Sequence, residues 1–253
     1  MYNPMNLIGK NVLIAGATGG IGEIITKTIN DLGATLIAVV RDSNKMQSII
    51  KKSNCKEIKI YEHDFNELVS IKKIVDNIVK ENGKLDGFVY SAGINSEIPF
   101  RNMTDERIKR TMDVNFGAFT EFARCISSKR NSNDNASFVA ISSVSSLKGD
   151  KAKLAYCASK AAMDASVRCM AYELTPKRGI RVNSIQPAGV ATGMYLKYLD
   201  DNQNSEYVGT KLERQFIGLI DPYDIANCVA FLLSDATKTL SGTSILMDGG
   251  MLI

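Results

Sequence analysis

Short apolar runs alternate with helix-like stretches along almost the whole chain, and this alternation narrows the possible folds more than any other feature. The predicted strands are Val12–Ala15, Leu36–Val40, Ile58–Glu62, Phe88–Tyr90, Ser137–Ile141, Arg181–Ile185 and Thr243–Met247. The predicted helices are Ile21–Leu32, Leu68–Val79, Ile108–Ser127, Tyr156–Leu174 and Pro222–Leu233. Strands separated by helices are joined by right-handed crossovers, which makes the sheet parallel and covers both of its faces.

The sequence therefore predicts a doubly wound α/β fold, and 253 residues suit one domain over residues 1–253. No linker, repeat or low-complexity tract interrupts the pattern. We interpret Asn131–Asn135 as a surface turn and Pro187–Leu219 as a less regular stretch.

Composition argues against several classes of protein. The net charge is only +4 and the basic residues are scattered, which disfavours a nucleic-acid-binding groove. No apolar run approaches the roughly 20 residues that span a bilayer, and Met1–Lys10 lacks the pattern of a signal peptide. The five cysteines form no CxxC pair, so free thiols in a cytoplasmic protein are expected.

His63 is the single histidine of the chain. One histidine does not supply a multi-histidine metal site, and the cysteines offer no substitute cluster. His63 ends a predicted strand, where we expect a structural role. Any acid or base chemistry is therefore predicted to use another residue type, and no metal is expected.

A glycine-rich turn joins the first strand to the first helix. Its residues are Gly16, Ala17, Thr18, Gly19, Gly20, Ile21 and Gly22. Glycines at 16, 20 and 22 permit a tight turn, a close approach of a ligand and close packing of helix on strand. The free N–H groups at the start of that helix would face a pyrophosphate. The alternative is an ordinary strand-to-helix turn. The position of the glycines between the first strand and the first helix favours a dinucleotide site.

The end of the second strand should reach the adenosine ribose of such a dinucleotide. An acidic residue there would bind the 2′-hydroxyl of NAD, whereas Arg41 can offer a fork of donors to a 2′-phosphate. Asp42 lies one residue further and would point to solvent. The sequence thus favours NADP(H) over NAD(H).

Tyr156 and Lys160 lie four residues apart, on one face of a predicted helix. Hydride transfer to a ketone leaves an alkoxide that must be protonated. A lysine cation beside a phenol, with the positive nicotinamide of an oxidised cofactor, is expected to lower the pKa of that phenol. Ser143 closes the fifth strand and could donate to a substrate oxygen. Asn115 lies in the middle of a predicted helix, where asparagine is unfavourable. Either the helix is kinked there, or a carbonyl group of Asn115 holds a water that links Lys160 to bulk solvent.

These motifs together resemble the short-chain dehydrogenase/reductase family over nearly the whole chain. In chain order they are Gly16–Gly22, Asp64, Tyr90–Gly93, Asn115, Ser143, Tyr156–Lys160 and Asp248–Gly250. The resemblance implies a Rossmann fold with strand order 3-2-1-4-5-6-7 and a homodimer or homotetramer. It also implies Tyr156 as acid and base, Lys160 as the ribose-binding and tuning residue, Ser143 as the substrate-orienting residue and Asn115 in a proton relay.

The resemblance further implies a set of cofactor-binding residues, in which Asp64 contacts adenine, Ile21 donates from its backbone to the pyrophosphate and Thr192 lies beside the nicotinamide carboxamide. The complete set is Gly16, Thr18, Gly19, Gly20, Ile21, Gly22, Arg41, Asp64, Phe65, Ala92, Gly93, Tyr156, Lys160, Pro187, Val190 and Thr192.

Three departures from the family pattern stand out. Ala15 replaces a threonine, Tyr90 and Ser91 replace two asparagines, and Ala188 replaces a glycine. The positions of the first two departures connect strand one to strand four in the family. We therefore expect this connection to be made by different side chains here. None of the three removes a group that performs chemistry.

The substrate is open at this point. The size and the closing Gly-Gly-Met resemble reductases of 3-oxoacyl thioesters on acyl carrier protein. Sugars, steroids and other secondary alcohols are alternatives, and so is a dinucleotide-binding scaffold without catalysis. A substrate loop is expected over about 187–220. Its candidate lining residues are Met194, Tyr195, Leu196, Tyr198, Leu199 and Tyr207.

Two surface features suggest partners. The pairs Lys129–Arg130 and Lys177–Arg178 each end a predicted helix, and they either cap its dipole or form a docking patch for an acidic carrier. An apolar stripe on two helices suggests a contact with a second subunit. Its residues are Met112, Phe116, Phe119, Phe122, Ala161, Met163, Val167 and Met170.

Overall fold

A computed structural model of the protein describes residues 3–53, 55, 58–95, 97–201 and 213–253. Its strands are β1 Asn11–Ala15, β2 Thr35–Val40, β3 Ile58–Glu62, β4 Leu85–Tyr90, β5 Ser132–Ile141, β6 Arg181–Pro187 and β7 Ser244–Met247. They form one sheet in the order β3-β2-β1-β4-β5-β6-β7, and each neighbouring pair is parallel. The predicted fold class and strand order are confirmed.

Helices cover both faces of this sheet. They are α1 Gly20–Asp31, α2 Ser43–Ser53, α3 Ile71–Asn82, α4 Asp105–Met112, α5 Ala118–Ile126, α6 Leu154–Arg178, α7 Gly193–Asp201 and α8 Pro222–Leu233. One apolar core joins the sheet to α3, α5 and α6, and a second joins it to α1 and α8. The central strands are buried on both faces, which explains their continuous apolar runs.

Two helices were not predicted from the sequence. Helix α2 is mostly polar and buries only Met46 and Ile49. Two apolar positions are too few to predict a helix from apolar periodicity. Helix α7 lies inside the stretch that we expected to be irregular, where aromatic and charged residues alternate without a clear apolar face.

The predicted turn at Asn131–Asn135 is wrong, because β5 begins at Ser132. Ser132 pairs with Leu85 and is fully buried, and the register of β5 on β4 shifts before the next pair. Asn135 takes a left-handed backbone conformation, with φ of 64°. The polar residues that suggested a turn therefore form an irregularity within a strand.

The predicted helix Ile108–Ser127 is interrupted. Residues Asp113–Gly117 form a π-helical segment between α4 and α5, and Asn115 lies at its centre. Such single-turn widenings occur mostly at functional sites. Helix α6 runs beyond the predicted end, past Pro176, and stops at Gly179 in the left-handed conformation.

Half of the apolar stripe proposed as a subunit contact is internal. Phe119, Phe122, Met163 and Val167 have no exposed surface, because they fill the core between the sheet, α5 and α6. The other four residues, which are Met112, Phe116, Ala161 and Met170, keep exposed surface, so a contact of this part with a second subunit stays a prediction, as does the homodimer or homotetramer.

Candidate active site

The predicted site residues meet at the carboxyl edge of the sheet. The glycine turn follows β1, Ala92 and Gly93 follow β4, and Ser143 follows β5. Strand order reverses between β1 and β4, and this crevice is where open α/β sheets bind ligands.

The glycine turn is packed so closely that side chains would not fit. A Cβ on Gly22 would lie 2.1 Å from the Gly16 carbonyl oxygen, and one on Gly16 would lie 2.4 Å from the Ala92 nitrogen. A Cβ on Gly20 would lie 2.8 Å from the side chain of Thr192, so the turn also meets the segment after β6. The three glycines singled out in the sequence are each required by a close approach.

Arg41 and Asp64 line both parts of a groove at the outer end of this crevice. One part has a volume of about 500 Å³ and extends along the start of α3, and the other reaches the glycine turn. Two acids near Arg41 are engaged locally. Asp42 accepts from the backbone of Lys45 at 3.0 Å, and Glu62 accepts from the backbone of Ser43 at 2.8 Å.

The lining of the groove includes two cations that were not singled out in the sequence, Lys73 and Arg110. Arg110, on the exposed side of α4, lines the cleft together with Arg41 and Asp64. Nothing in the sequence distinguishes it from the other charged residues of that helix. Only the packing of α4 across the crevice brings it to the site.

His63 occupies the structural position that the sequence suggested. Its ring packs edge-on against Phe65 and Phe122, and burial lowers its pKa. Its Nε2 atom is buried without a hydrogen-bond partner among the described residues. The pKa and the apolar contacts both favour a neutral ring. No cluster of three or more His, Cys, Asp or Glu in the described ranges could hold a metal.

Tyr156 and Ser143 lie together, as predicted. The Tyr156 hydroxyl is hydrogen-bonded to Ser143, whose own oxygen accepts from the backbone N–H of Ser145 at 3.1 Å. Burial raises the pKa of Tyr156, although the bond to Ser143 acts in the opposite direction. The lowering that we expected applies to a phenol between a lysine and a positive nicotinamide, and it stays a prediction. Desolvation of the phenolate is the larger effect here.

Lys160 is 4% exposed and lies 5.8 Å from the centre of the Tyr156 ring. Its Nζ donates to the carbonyl oxygen of Ile141 at 2.7 Å, which fixes the side chain under β5. Burial lowers the pKa of Lys160 to about 8, and the charge of Asp164 one helical turn further partly offsets this shift. Asp164 is itself buried and accepts from Ser184 and Gln186, each at 2.7 Å.

Asn115 is fully buried and uses all of its amide group. Its Oδ1 accepts from the backbone of Ile94 at 2.8 Å, and its Nδ2 donates to the Ile94 carbonyl at 3.0 Å and to Ser159 Oγ at 2.9 Å. A Cβ on Gly93 would lie 3.5 Å from Asn115 Oδ1 and 3.6 Å from Lys160 Nζ. Asn115 and Lys160 therefore face the same small space beside Gly93.

The segment after β6 closes the crevice. Val190, near the start of the expected substrate loop, pairs with Ile220 at its end through an isolated parallel bridge. Gln215 is 3% exposed, accepts from the Gly189 N–H at 3.0 Å and donates to the Gly189 carbonyl at 2.9 Å. Sequence reasoning missed Gln215. Tyr207 lies outside the described residues, as do the side chains of Met194 and Tyr198.

This arrangement of turn, crevice and Tyr–Lys–Ser–Asn set can be compared with known proteins. A family model described as "Enoyl-(Acyl carrier protein) reductase" matches residues 16–252. A dehydrogenase/reductase from Sinorhizobium meliloti 1021 has the same fold, with a TM-score of 0.89, 27% identity and coverage of 99% of this chain and 98% of that one. The chain belongs to the short-chain dehydrogenase/reductase family. It is thus an oxidoreductase of the kind that acts on carbonyl and CH–OH groups.

Curated members of the family differ in substrate. The chain is 33% identical over 251 residues to the 3-oxoacyl-(acyl-carrier-protein) reductase of Rickettsia conorii, covering 98% of this chain and 99% of that one. It is 31% identical over 248 residues to the L-xylulose reductase of Caenorhabditis elegans, covering 95% of both. In the described ranges, no helix has the length and apolar character needed to cross a membrane.

Proposed function

We propose that the protein is an NADP(H)-dependent reductase of a carbonyl substrate, with a 3-oxoacyl thioester on acyl carrier protein as the first candidate. The observation that carries this proposal is the assembly of Tyr156, Ser143, Lys160 and Asn115 beside a glycine cradle. A scaffold that only binds dinucleotide has no use for a buried lysine and phenol whose pKa values are both displaced.

The crevice fits a dinucleotide. The close packing at Gly16, Gly20 and Gly22 keeps side chains out of the turn, so its backbone stays open to a phosphate group, and the N-terminus of α1 follows it directly. Arg41 and Asp64 would hold the adenosine end, and Lys160 would hold the nicotinamide ribose. When bound there, a reduced nicotinamide supplies the hydride.

Side chains of this protein would donate the proton to the substrate oxygen and replace it afterwards. Because burial raises its pKa, Tyr156 carries its proton at neutral pH and donates it to the carbonyl oxygen as that oxygen becomes negative. The Ser143 hydroxyl donates a hydrogen bond to the same oxygen. The Lys160 cation stabilises the phenolate that remains, and a water held at Asn115 returns a proton to the site.

The substrate would lie against the loop at about 187–220, within the single domain that we infer over 1–253. The test is a screen of NADPH oxidation with a carrier-linked 3-oxoacyl thioester, a small 3-oxoacyl thioester, a ketose and a steroid ketone. Carrier-linked turnover would support the first candidate. Consumption of NADPH with none of these carbonyl compounds would contradict a reductase and favour the scaffold.

A sugar substrate is the second candidate, favoured by the similarity to the L-xylulose reductase. In the same screen, faster turnover of a ketose than of either thioester would select it. This outcome would leave the roles proposed for Tyr156 and Lys160 unchanged, because they act on any carbonyl oxygen.

The proposed carrier-docking patch is smaller than the sequence suggested. Arg178 bridges to Asp134 at 2.8 Å and donates to the carbonyl oxygens of Ser127 and Ser132, so it serves the fold. Lys129, Arg130 and Lys177 are exposed, but they precede the starts of β5 and β6 and therefore lie at the amino edge of the sheet, opposite the crevice. This position favours the helix-capping role. Lys129→Glu should then leave turnover of carrier-linked and small thioesters equally unchanged, whereas slower turnover of the carrier-linked substrate alone, and more so at low salt, would support docking.

Replacing Arg41 with alanine is expected to weaken NADPH binding by roughly tenfold or more and to leave NADH binding unchanged. A charge-assisted contact to the 2′-phosphate would be lost, and NADH has no such phosphate. The carboxylates of Asp42 and Glu62 each accept a hydrogen bond from a backbone N–H group near Arg41. Fluorescence titration with both cofactors measures the change.

Lys51→Ala is the matched control, because Lys51 is an exposed cation near the end of α2. It should leave both affinities unchanged. If the parent protein binds NADH as tightly as NADPH, the assignment of Arg41 to the 2′-phosphate is wrong.

A further inference from the structure

Tyr90 is the largest departure from the family pattern near the site, and the structure gives it a definite contact. The side chain has no exposed surface, and its hydroxyl donates to the backbone carbonyl of Val114. Val114 belongs to the π-helical segment between α4 and α5. Tyr90 thus joins the end of β4 to the segment that carries Asn115.

The contact is possible because of a second departure. Tyr90 is in register with Ala15 on β1, and the small side chain at position 15 leaves room for a tyrosine on the neighbouring strand. The ring then packs against Phe65 and Phe119, with centroids 6.1 Å and 5.6 Å away. The side chain at position 90 therefore contacts elements outside the sheet, through Val114 and Phe119.

The chain that follows β4 holds the π-helical segment at two consecutive residues. Tyr90 binds the carbonyl of Val114, and the backbone of Ile94 binds both ends of the Asn115 amide. The same amide donates to Ser159, the residue before Lys160. A shift of the π-helical segment would therefore displace Asn115 and the turn of α6 that carries Lys160.

We propose that Tyr90 is a positioning residue for the reaction, whose hydroxyl fixes the π-helical segment so that Asn115 stays aligned with Lys160. This inference rests on the proposed function for its effect on turnover. Burial raises the pKa of the Tyr90 phenol, so the hydroxyl stays a hydrogen-bond donor throughout the working pH range. Without it, the buried Val114 carbonyl loses a donor, and the segment is free to move to satisfy it.

Tyr90→Phe is the decisive variant, because it removes one oxygen and keeps the ring packing. We expect kcat to fall roughly tenfold while the Kd of NADPH stays within about twofold, since small displacements of aligned groups cost turnover rather than cofactor binding. Tyr61→Phe is the matched control. Its hydroxyl is bonded to Glu81 and Asn82 between β3 and α3, and its loss should leave kcat unchanged.

A double-mutant comparison separates positioning from general destabilisation. In an Asn115→Ala background, Tyr90→Phe should cost little further turnover, because the group that Tyr90 positions is gone. Full additivity of the two losses would overturn the proposal, as would an unchanged kcat in the single variant.

Amide hydrogen exchange over residues 112–119 supplies a readout that needs no turnover. Tyr90→Phe should speed exchange there and Tyr61→Phe should not. If the parent protein reduces no carbonyl, the proposed function fails and Tyr90 has no effect on turnover to explain. The exchange result alone then decides whether Tyr90 anchors the segment. Unchanged exchange in Tyr90→Phe would overturn the anchoring itself.

Discussion

Replacing Tyr156 with phenylalanine is expected to lower kcat for carbonyl reduction by at least roughly 100-fold and to leave NADPH binding nearly unchanged. The variant loses the phenol hydroxyl that lies beside Ser143, and with it the proton that we propose is donated to the substrate oxygen. The ring itself remains, so the packing of α6 and the position of Lys160 should be preserved.

Steady-state kinetics and a fluorescence titration of NADPH measure the two effects separately. Tyr172→Phe is the matched control, because Tyr172 lies on the same helix but is 85% exposed, and it should behave as the parent. A Tyr156→Phe variant that keeps most of its turnover would refute the assignment of Tyr156 as the acid.

Replacing Lys160 with alanine is expected to damage both steps. NADPH binding should weaken by roughly tenfold or more, because a charge-assisted contact to the ribose is lost. Turnover should also fall by roughly 100-fold or more, because the phenolate formed at Tyr156 loses its neighbouring cation. Arg168→Ala, which removes an exposed cation of the same helix, should change neither quantity. An effect of Lys160→Ala on turnover alone would contradict its role at the ribose.

Lys160 also sets a pH limit. A lysine is charged below its pKa, and burial lowers the pKa of Lys160 to about 8, so the charge is present at neutral pH and is lost as the pH rises through that value. We expect kcat/KM, which reports the free enzyme, to fall above about pH 8. Tyr156 is not the cause, since its pKa is raised. Lys160→Arg, which keeps its charge, should lack this alkaline limb. An unchanged limb in that variant would assign it to another group.

Much of the fold could be predicted from local sequence. Buried parallel strands need continuous apolar runs, and the helices between them need a periodic apolar face, so both are visible along the chain. The glycine turn could be predicted for a related reason. Positions where a Cβ would lie 2.1 Å or 2.4 Å from backbone atoms leave only glycine as an option.

Elements with little buried surface could not be predicted. Helix α2 buries two apolar side chains and is recognisable only once it packs beside β3. The apolar stripe on α5 and α6 was assigned to a subunit contact because a sequence shows that residues are apolar and not which surface covers them. In the structure the sheet covers Phe119 and Met163.

The identities of the four proposed catalytic residues came from the sequence, and their electrostatics came from the tertiary structure. Spacing places Tyr156 and Lys160 on one helix face, but it does not reveal how deeply they are desolvated. In the structure, burial raises the pKa of the tyrosine and lowers that of the lysine.

The sequence by itself determined the sheet order, through the family resemblance, and the candidate catalytic residues. Only the tertiary structure decided what surrounds them. Tyr90, Asp164 and Gln215 are held near the candidate site by hydrogen bonds to residues 24, 20 and 26 positions away in sequence. Such contacts depend on how helices cross the sheet, and no local pattern encodes that geometry.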